Sequence, residues 1–309
     1  MTAARRWWCV GIGVLLLVAT PMLVRALPVS DQDVTARGLL HLVETSRDVS
    51  FSGDTESVGT VGLPANDELS SLTDLLSDTN RVRVWWRNPD VWRVATVRPT
   101  GETDLVHRRG RMFRWVFESR SVTVIPDVPV RLPNTADLLP NELARRMLEG
   151  AAPAELTRVP SRRVAGRDAL GLRLTPADRQ SAIGRVDVYA DPSTGLPLRV
   201  DLYARGSRTP ALTSRFIDLS LGSPSSHDVG FRAPRDANVQ YDEVVDLAAA
   251  ADRFAARIPP RTLAGLAPRQ TFRGSVGVYG RGPTVLIAVP LWSRTADRVR
   301  ENLRGAPGV

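Results

Sequence analysis

Hydrophobic and polar residues alternate with a period of two along much of this chain, and short turn sequences interrupt the alternation. Between residues 80 and 126, about five alternating segments are separated by turn sequences rich in Pro, Gly and Asn. Because turns of two or three residues can join only antiparallel strands, the pattern predicts an antiparallel meander over 80–126. The turn sequences are Asn88-Pro89-Asp90, Thr100-Gly101, Arg109-Gly110 and Ser119-Arg120.

The alternation continues after residue 150, and helical periodicity appears at two places. Residues 33–47 and 140–150 repeat apolar residues at helical spacing. With these helices and about eleven strands, the pattern predicts a mainly β fold of the α+β kind, in which one curved antiparallel sheet over 29–228 encloses the helices on its concave side. The strands outside the meander are predicted at 49–61, 156–166, 168–175, 184–191, 196–205 and 211–221.

Within the meander, aromatic residues and arginines occupy alternate positions, which predicts an apolar face and a basic face. The apolar face has two interpretations: it is the core of the domain, or part of it lines a cavity for an acyl chain. The residues of this candidate cavity are Val84, Trp86, Trp92, Val94, Phe113, Trp115 and Phe117. Those of the basic face are Arg81, Arg83, Arg93, Arg111 and Arg114.

Residues 229–309 have the pattern of a second, smaller domain. Helical periodicity at 242–257 and 294–304 flanks two alternating segments, which predicts an αββα unit. The two strands are predicted at 271–279 and 284–291, on either side of a Gly-rich turn. This turn is not a phosphate-binding loop, because it lies in a hairpin and no Gly-Lys-Ser/Thr follows it.

The first 28 residues predict export. Met1–Arg6 is positively charged, and 7–24 contains no charged residue. This segment is intermediate in length between the apolar core of a signal peptide and a membrane-spanning helix, so cleavage after Ala26 and retention as an anchor both remain open. In either case the residues that follow are expected on the extracytoplasmic side of the cell membrane. The one cysteine, Cys9, lies in this segment and cannot form a disulfide within the chain.

Composition removes several classes of function. The formal charge is +8, and all 41 basic residues are arginine. The segment 80–120 contains ten arginines and only four acidic residues. No nucleic-acid-binding motif accompanies this charge, and an exported chain does not meet DNA. Anionic lipid or an acidic protein segment is therefore a better candidate for the binding partner of the basic residues.

The three histidines, at 41, 107 and 227, have no metal-ligand spacing, and no nucleophile motif is present. We therefore expect a protein that is not an enzyme and has no cofactor or metal. The distant alternative is an enzyme with an unrecognised carboxylate site, which a strongly raised carboxyl pKa in a cleft would indicate.

Two segments of the large domain resemble the LolA/RseB group of proteins. Arg163-Val-Ala-Gly166-Arg-Asp-Ala169, followed by Leu172-Arg-Leu174-Thr-Pro176, is similar to one motif of the group. Val186-Asp-Val-Tyr189-Ala-Asp191-Pro-Ser-Thr-Gly195-Leu-Pro197 is similar to a second, and Phe51-Ser-Gly53 resembles its opening strand. The resemblance covers about 45–222, and it rests on the order and spacing of motifs that are individually short.

This resemblance implies an incomplete β-barrel wrapped around helices, with an apolar concave face. A second, smaller domain after the first is the arrangement of the RseB type, and Val278-Tyr279-Gly-Arg-Gly282 looks like part of it. The implied function is an extracytoplasmic sensor that binds lipid or lipoprotein and modulates a membrane regulator such as an anti-sigma factor. The alternative is a lipid or lipoprotein carrier of the LolA kind, for which a permanent anchor would be unsuitable.

Overall fold

In a computed structural model of the chain, twelve strands form one open sheet. The structure describes residues 29–60, 75–127, 133–241, 258–272 and 276–288, together with 293, 294, 296, 297 and 301. The strand order is β12-β6-β5-β4-β3-β2-β1-β11-β10-β9-β8-β7, so β1 joins two meanders at the centre. The strands are β1 Phe51–Gly59, β2 Thr79–Asn88, β3 Val91–Arg98, β4 Gly101–Arg108, β5 Arg111–Val116, β6 Ser121–Pro126, β7 Leu156–Val164, β8 Arg167–Leu174, β9 Ile183–Ala190, β10 Pro197–Ala204, β11 Leu212–Leu221 and β12 Asn238–Tyr241.

The predicted mainly β fold with a large, curved antiparallel sheet is confirmed. Strands β1 to β11 lie within 29–228, all their pairings are antiparallel, and β12 adds a parallel pairing with β6. The turn chemistry is also as expected: Arg109 and Gly110 both have positive φ, as a tight two-residue hairpin turn requires. Among the described strands, β12 and β7 end the sheet without pairing to each other, so the barrel is incomplete.

Two helices cover one face of the sheet, here called the inner face. They are α1, Ala36–Thr45, and α2, Pro140–Leu148, at the two places that the periodicity predicts. Their apolar sides bury Leu39, Val43, Leu143, Ala144 and Leu148. These residues form a cluster with the inward side chains of β8 to β11, because alternate residues of each strand point to that face.

Local contacts fix the position of α1. Thr35 caps its first turn through a hydrogen bond from the Gly38 amide, 3.1 Å. Near the other end, the β9–β10 turn closes on the helix at Gly195, where an added Cβ would lie 2.1 Å from the Leu42 carbonyl oxygen. Because Gly195 also has a φ of +72°, no other residue fits this close approach without strain.

A second, three-stranded sheet lies against the C-terminal end of α2. It has the order β13-β14-β15, with β13 Pro268–Phe272, β14 Val276–Arg281 and β15 Thr284–Ala288. The predicted hairpin is thus present, and β13 is an additional strand. At the hairpin turn, Arg281 donates to the Gly150 carbonyl and forms an ion pair with Glu155 at 2.9 Å.

Several predicted segments lie outside the described residues. They include the apolar segment 7–24 and the predicted helix at 242–257. Most of the predicted C-terminal helix at 294–304 also lies outside them. Within the described part of the chain, none of the helices is long and apolar enough to cross a membrane.

Candidate ligand-binding crevice

A row of rings crosses the inner face of the sheet, with one ring from each of five neighbouring strands. Phe51 stacks on Trp86 at 5.9 Å between ring centroids, and Trp86 stacks on Trp92 at 6.0 Å. His107 continues the row at 5.5 Å from Trp92, and Phe216 meets Phe51 edge-on at 5.2 Å. We call these five residues the aromatic ladder. Register places the rings side by side, since Phe51 pairs with Trp86, Trp86 with Trp92, and Trp92 with His107.

A narrow crevice opens between the aromatic ladder and the two helices. Its floor is formed by Phe51, Trp86 and Leu196, and its cavity volume is about 20 Å³. This is room for one or two water molecules, whereas pockets for small molecules measure roughly 300–1,000 Å³. Any larger ligand therefore requires the helices to move away from the sheet. The remaining lining residues are Val43, Glu44, Ser46, Arg47, Val49, Asn141, Glu142 and Arg145.

Two buried polar atoms at the crevice have no hydrogen-bond partner among the residues that the structure describes. They are the indole Nε1 of Trp86, whose side chain is 2 % exposed, and the Oδ1 of Asn141 at the start of α2. The neighbouring Trp92 differs, because its Nε1 donates to the Pro89 carbonyl at 3.1 Å. An unpaired buried donor costs roughly 1–3 kcal/mol, so native proteins seldom retain one without a reason.

The rim of the crevice is charged but balanced. Arg145 of α2 donates to Glu142 at 2.8 Å, and Glu44 and Arg47 lie on the opposite side at the end of α1. Apolar rings at the floor and charged groups at the rim suit a ligand that has an apolar part and a polar part.

A wider depression of about 600 Å³ borders residues 31–34 and 158–160 and is open to solvent. Among the described residues, none of the buried polar atoms without a partner lines it. The crevice at the aromatic ladder therefore remains the stronger candidate.

The structure brings together only some of the predicted cavity residues. Val84, Trp86, Trp92 and Val94 are buried side by side on the inner face. Phe113 and Trp115 pair with Val106 and Asp104, which places both rings on the opposite, outer face. The prediction that the cavity residues share one face is therefore wrong for these two, because even-numbered residues face inward in both β3 and β5, whereas Phe113 and Trp115 occupy odd-numbered positions.

The outer-face aromatic residues have a different environment. Phe231 packs over Phe113 and Trp115, with ring centroids at 5.7 and 6.3 Å. Phe117, just beyond the end of β5, touches Trp115 edge-on and is 61 % exposed. These rings form a small core under the segment after β11 and lie away from the crevice.

The predicted basic face is largely an ion-paired face. Arg81, Arg83 and Arg93 lie on the outer face, and each pairs with a carboxylate of a neighbouring strand, at 2.8, 3.0 and 2.6 Å. Arg111 lies on the same face, at the β4–β5 turn. Arg114 pairs with Leu105 of the inner face, so the prediction of a shared basic face is wrong for this residue.

Glu56 and Asp104 illustrate the electrostatics of the outer face. The hydrogen bond from Arg215, aided by Arg81, lowers the pKa of the Glu56 carboxyl against the opposing effect of burial. Burial raises the pKa of the Asp104 carboxyl although Arg93 lies 2.6 Å away. Asp104 lines none of the cavities described above, so its environment is that of a buried ion pair in the sheet.

Metal chemistry has no candidate within the described residues. There, His, Cys, Asp and Glu side chains form no group of three or more that could hold an ion. His107 is instead part of the aromatic ladder, and its Nδ1 lies 3.0 Å from the Asp90 carbonyl oxygen.

Sequence reasoning missed three rings of the aromatic ladder, Phe51, His107 and Phe216, and also Asn141. Phe51 and His107 could have been found by carrying the strand pairing through the two-residue turns, since that register fixes which residues face each other. Asn141 carried no signal, because its role depends on the packing of α2 against the sheet.

Comparison with known proteins gives structural neighbours but no sequence family. No protein-family model and no curated protein matches the chain. MucB superposes over 85 % of this chain and 95 % of its own, with 18 % identity and a TM-score of 0.47. A MucA/MucB complex from Pseudomonas aeruginosa matches 81 % of this chain and 77 % of that chain, with 20 % identity and a TM-score of 0.44.

A LolA-superfamily protein from Nitrosomonas europaea matches 64 % of this chain and 98 % of its own, with 14 % identity and a TM-score of 0.31. At these identities and TM-scores the superpositions assign no function, and the fold class rests on the observed sheet. The structural neighbours of this chain thus include MucB and LolA-superfamily proteins, all at low sequence identity.

Proposed function

We propose that this chain is a non-enzymatic extracytoplasmic binding protein that holds an acyl chain between the aromatic ladder and the two helices. The observation that carries the proposal is a pair of buried atoms without a partner in the described part of the chain: Trp86 Nε1 at the apolar floor of the crevice and Asn141 Oδ1 at the start of α2. An acyl lipid fits this arrangement, because its chain would cover the rings while an ester or amide linkage supplies a hydrogen-bond acceptor for the indole.

The crevice corresponds to a closed state of such a site. Its volume of about 20 Å³ admits no acyl chain, so binding must displace α1 or α2 from the ladder. The charged rim supports an opening there, since Glu142 and Arg145 remain partly hydrated and need no new partner when the helix moves.

Native mass spectrometry of the full chain, extracted in mild detergent, tests the proposal with two tryptophan variants. Trp86→Phe removes the unpartnered N–H, and Trp92→Phe removes an N–H that already has a partner at Pro89. We expect bound lipid on the wild type and on Trp92→Phe, and at least about a fivefold lower occupancy on Trp86→Phe, as loss of one hydrogen bond of ~1 kcal/mol predicts. Absence of lipid from the wild type, or equal occupancy in both variants, would contradict the proposal.

For the biological role, we propose an RseB-like sensor that modulates a membrane regulator of the anti-sigma factor type. The sequence resemblance and the predicted N-terminal segment support this role, with 29–228 as the lipid-binding domain and 229–309 as a small C-terminal domain. The competing role is a lipoprotein carrier. Full-length chain in the membrane fraction, together with a regulator recovered by cross-linking, would support the sensor. A chain that begins near Leu27 and is free of the membrane would support the carrier.

A further inference from the structure

The turn between β4 and β5 concentrates positive charge at one end of the sheet. Its sequence is Arg108-Arg109-Gly110-Arg111, here called the arginine turn, and all three arginines are exposed. Arg108 pairs directly with Arg111 across the hairpin, so two like charges face each other at adjacent positions. Such an arrangement is unfavourable unless an anion lies between or beside the charges.

Among the described residues, these guanidinium groups have no ion-pair partner, unlike Arg81, Arg83 and Arg93 on the outer face. Arg81, Arg83 and Arg93 each pair with a carboxylate, whereas within the described residues the arginine turn has neither an ion pair nor a side-chain hydrogen bond. Two acidic residues at this end of the sheet contact His107 instead. The Asp127 carboxylate lies 3.7 Å from His107 Nε2, and Asp90 meets His107 through its carbonyl oxygen.

The arginine turn lies at the end of the sheet that carries the aromatic ladder. His107, the last ring of the ladder, directly precedes Arg108, and its partner Met112 directly follows Arg111. The β2–β3 turn, whose Pro89 carbonyl accepts from Trp92, reaches the same end. A flat anionic surface that contacts the arginine turn therefore also lies next to the edge of the ladder.

We propose that the arginine turn docks on the phosphate surface of an anionic lipid bilayer. Charge complementarity carries this assignment: three exposed guanidinium groups at one turn, without an ion pair in the described part of the chain, match a plane of phosphate groups, and Arg forms bidentate hydrogen bonds with phosphate. Docking orients the domain so that the ladder end faces the bilayer. The inference is independent of the proposed acyl-chain site, because it concerns the headgroup surface and none of the crevice residues.

Hydrogen exchange of the full chain in lipid nanodiscs tests this inference, because a predicted N-terminal anchor then affects all samples equally. One disc contains phosphatidylcholine only, and the other contains about one-third phosphatidylglycerol. At roughly 1 kcal/mol, or about fivefold, for each arginine, we expect backbone amides of 106–113 to exchange 10- to about 100-fold more slowly on the anionic disc. The protection should disappear in 0.5 M NaCl, since such contacts are screened.

The variant Arg108→Gln/Arg109→Gln/Arg111→Gln should lose this protection while the central strands exchange as in the wild type. A matched control, Arg98→Gln/Arg179→Gln/Arg208→Gln, removes the same charge from three exposed arginines elsewhere and should retain it. Equal protection on both discs, or equal loss in both triple variants, would overturn the proposal. Protection that needs an added acidic protein and not anionic lipid would overturn it as well.

Discussion

Glu56 shows how single residues stabilise the outer face of the sheet. Its carboxylate is 5 % exposed and accepts hydrogen bonds from Arg81 of β2 and Arg215 of β11, each at 2.8 Å. The residue therefore links the two meanders through β1, the strand that both of them adjoin. Because the guanidinium groups remain 73 % and 47 % exposed, solvent screens the interaction, and the contribution to stability is modest.

We expect this link to make stability depend on pH in the acid range. The Arg215 hydrogen bond, with help from Arg81, lowers the pKa of Glu56 in the folded state below its value of 4.5. A depressed folded-state pKa adds stability above pH 4.5, and this contribution is lost as the pH falls through the folded-state pKa. Urea unfolding should show Glu56→Gln to be about 1 kcal/mol less stable than the wild type at pH 7.

The difference between Glu56→Gln and the wild type should shrink as the pH falls below 4.5. Glu102→Gln is a suitable control, because Glu102 is more exposed and lies 4.0 Å from its arginine partner. A difference for Glu56→Gln that stays constant from pH 7 to pH 3 would show that its charge does not stabilise the fold.

At the scale of elements, turn residues made the strands predictable. The predicted strands 156–166, 168–175 and 184–191 match β7, β8 and β9 to within about two residues, because Gly, Pro and Asn mark where strands must end. Which residues of neighbouring strands lie on the same face of the sheet was harder to predict. Alternation shows which residues of one strand share a face, but turn length and bulges decide how that face continues in the next strand.

The candidate site depended on this relation. Trp86 and Trp92 share a face because the β2–β3 pairing contains a register shift between Trp86 and Asn88. Phe113 faces away from the ladder because the β4–β5 hairpin, whose loop is Arg109-Gly110, pairs Phe113 with Val106 of the outer face. The aromatic composition of the meander was therefore predictable from the sequence, whereas the ladder itself required the register of five neighbouring strands, β4 to β1 and β11.

Arg281 provides two of the contacts that join the β14–β15 hairpin to the segment between α2 and β7. Its guanidinium reaches Glu155 and the carbonyl of Gly150 at the C-terminal end of α2, where a positive charge is favourable. Burial acts to raise the pKa of Glu155, but the amides of Ala177 and Ala152, together with Arg281, lower it overall. Glu155 thus stays ionised and keeps the ion pair.

We expect Arg281→Gln to loosen the hairpin without unfolding the large sheet. Loss of a charged hydrogen bond of about 1–2 kcal/mol predicts amide exchange in 276–288 that is roughly 5- to 30-fold faster, measured by mass spectrometry. Exchange in β8 to β10 should not change. Arg261→Gln, at an exposed position without an ion pair in the described residues, is the control. Unchanged exchange in the hairpin would show that other contacts hold it.

At the scale of the molecule, the segment after β11 extends the large sheet. Phe231 covers the outer-face rings, and β12 pairs with β6, so residues 231–241 contribute to the packing of the first meander. The predicted boundary at residue 229 placed these residues in the C-terminal unit, because nothing in the sequence of a four-residue strand shows which sheet it joins.

We expect Phe231→Ala to destabilise the whole sheet by about 1–2 kcal/mol, since a half-buried aromatic ring with two aromatic neighbours is removed. Phe117→Ala removes a largely exposed ring next to the same Trp115 and should change stability by less than about 0.5 kcal/mol. Urea unfolding followed by tryptophan fluorescence distinguishes the two. Equal effects would show that the segment after β11 does not stabilise the sheet.

The central position of β1 also has a consequence for how the chain is made. A polypeptide is synthesised from its N-terminus. Strand β1 can therefore pair with β2 soon after both are made, but its pairing with β11 must wait until β11 has been synthesised. Glu56 and Arg215 lie 159 residues apart, and at roughly 5–20 residues per second the wait lasts about 10–30 s. During that time β1 exposes one unpaired edge, which is a template for incorrect pairing. The β1–β11 pairing at the centre of the finished sheet thus forms only after every strand of the first meander, β2 to β6, has been synthesised.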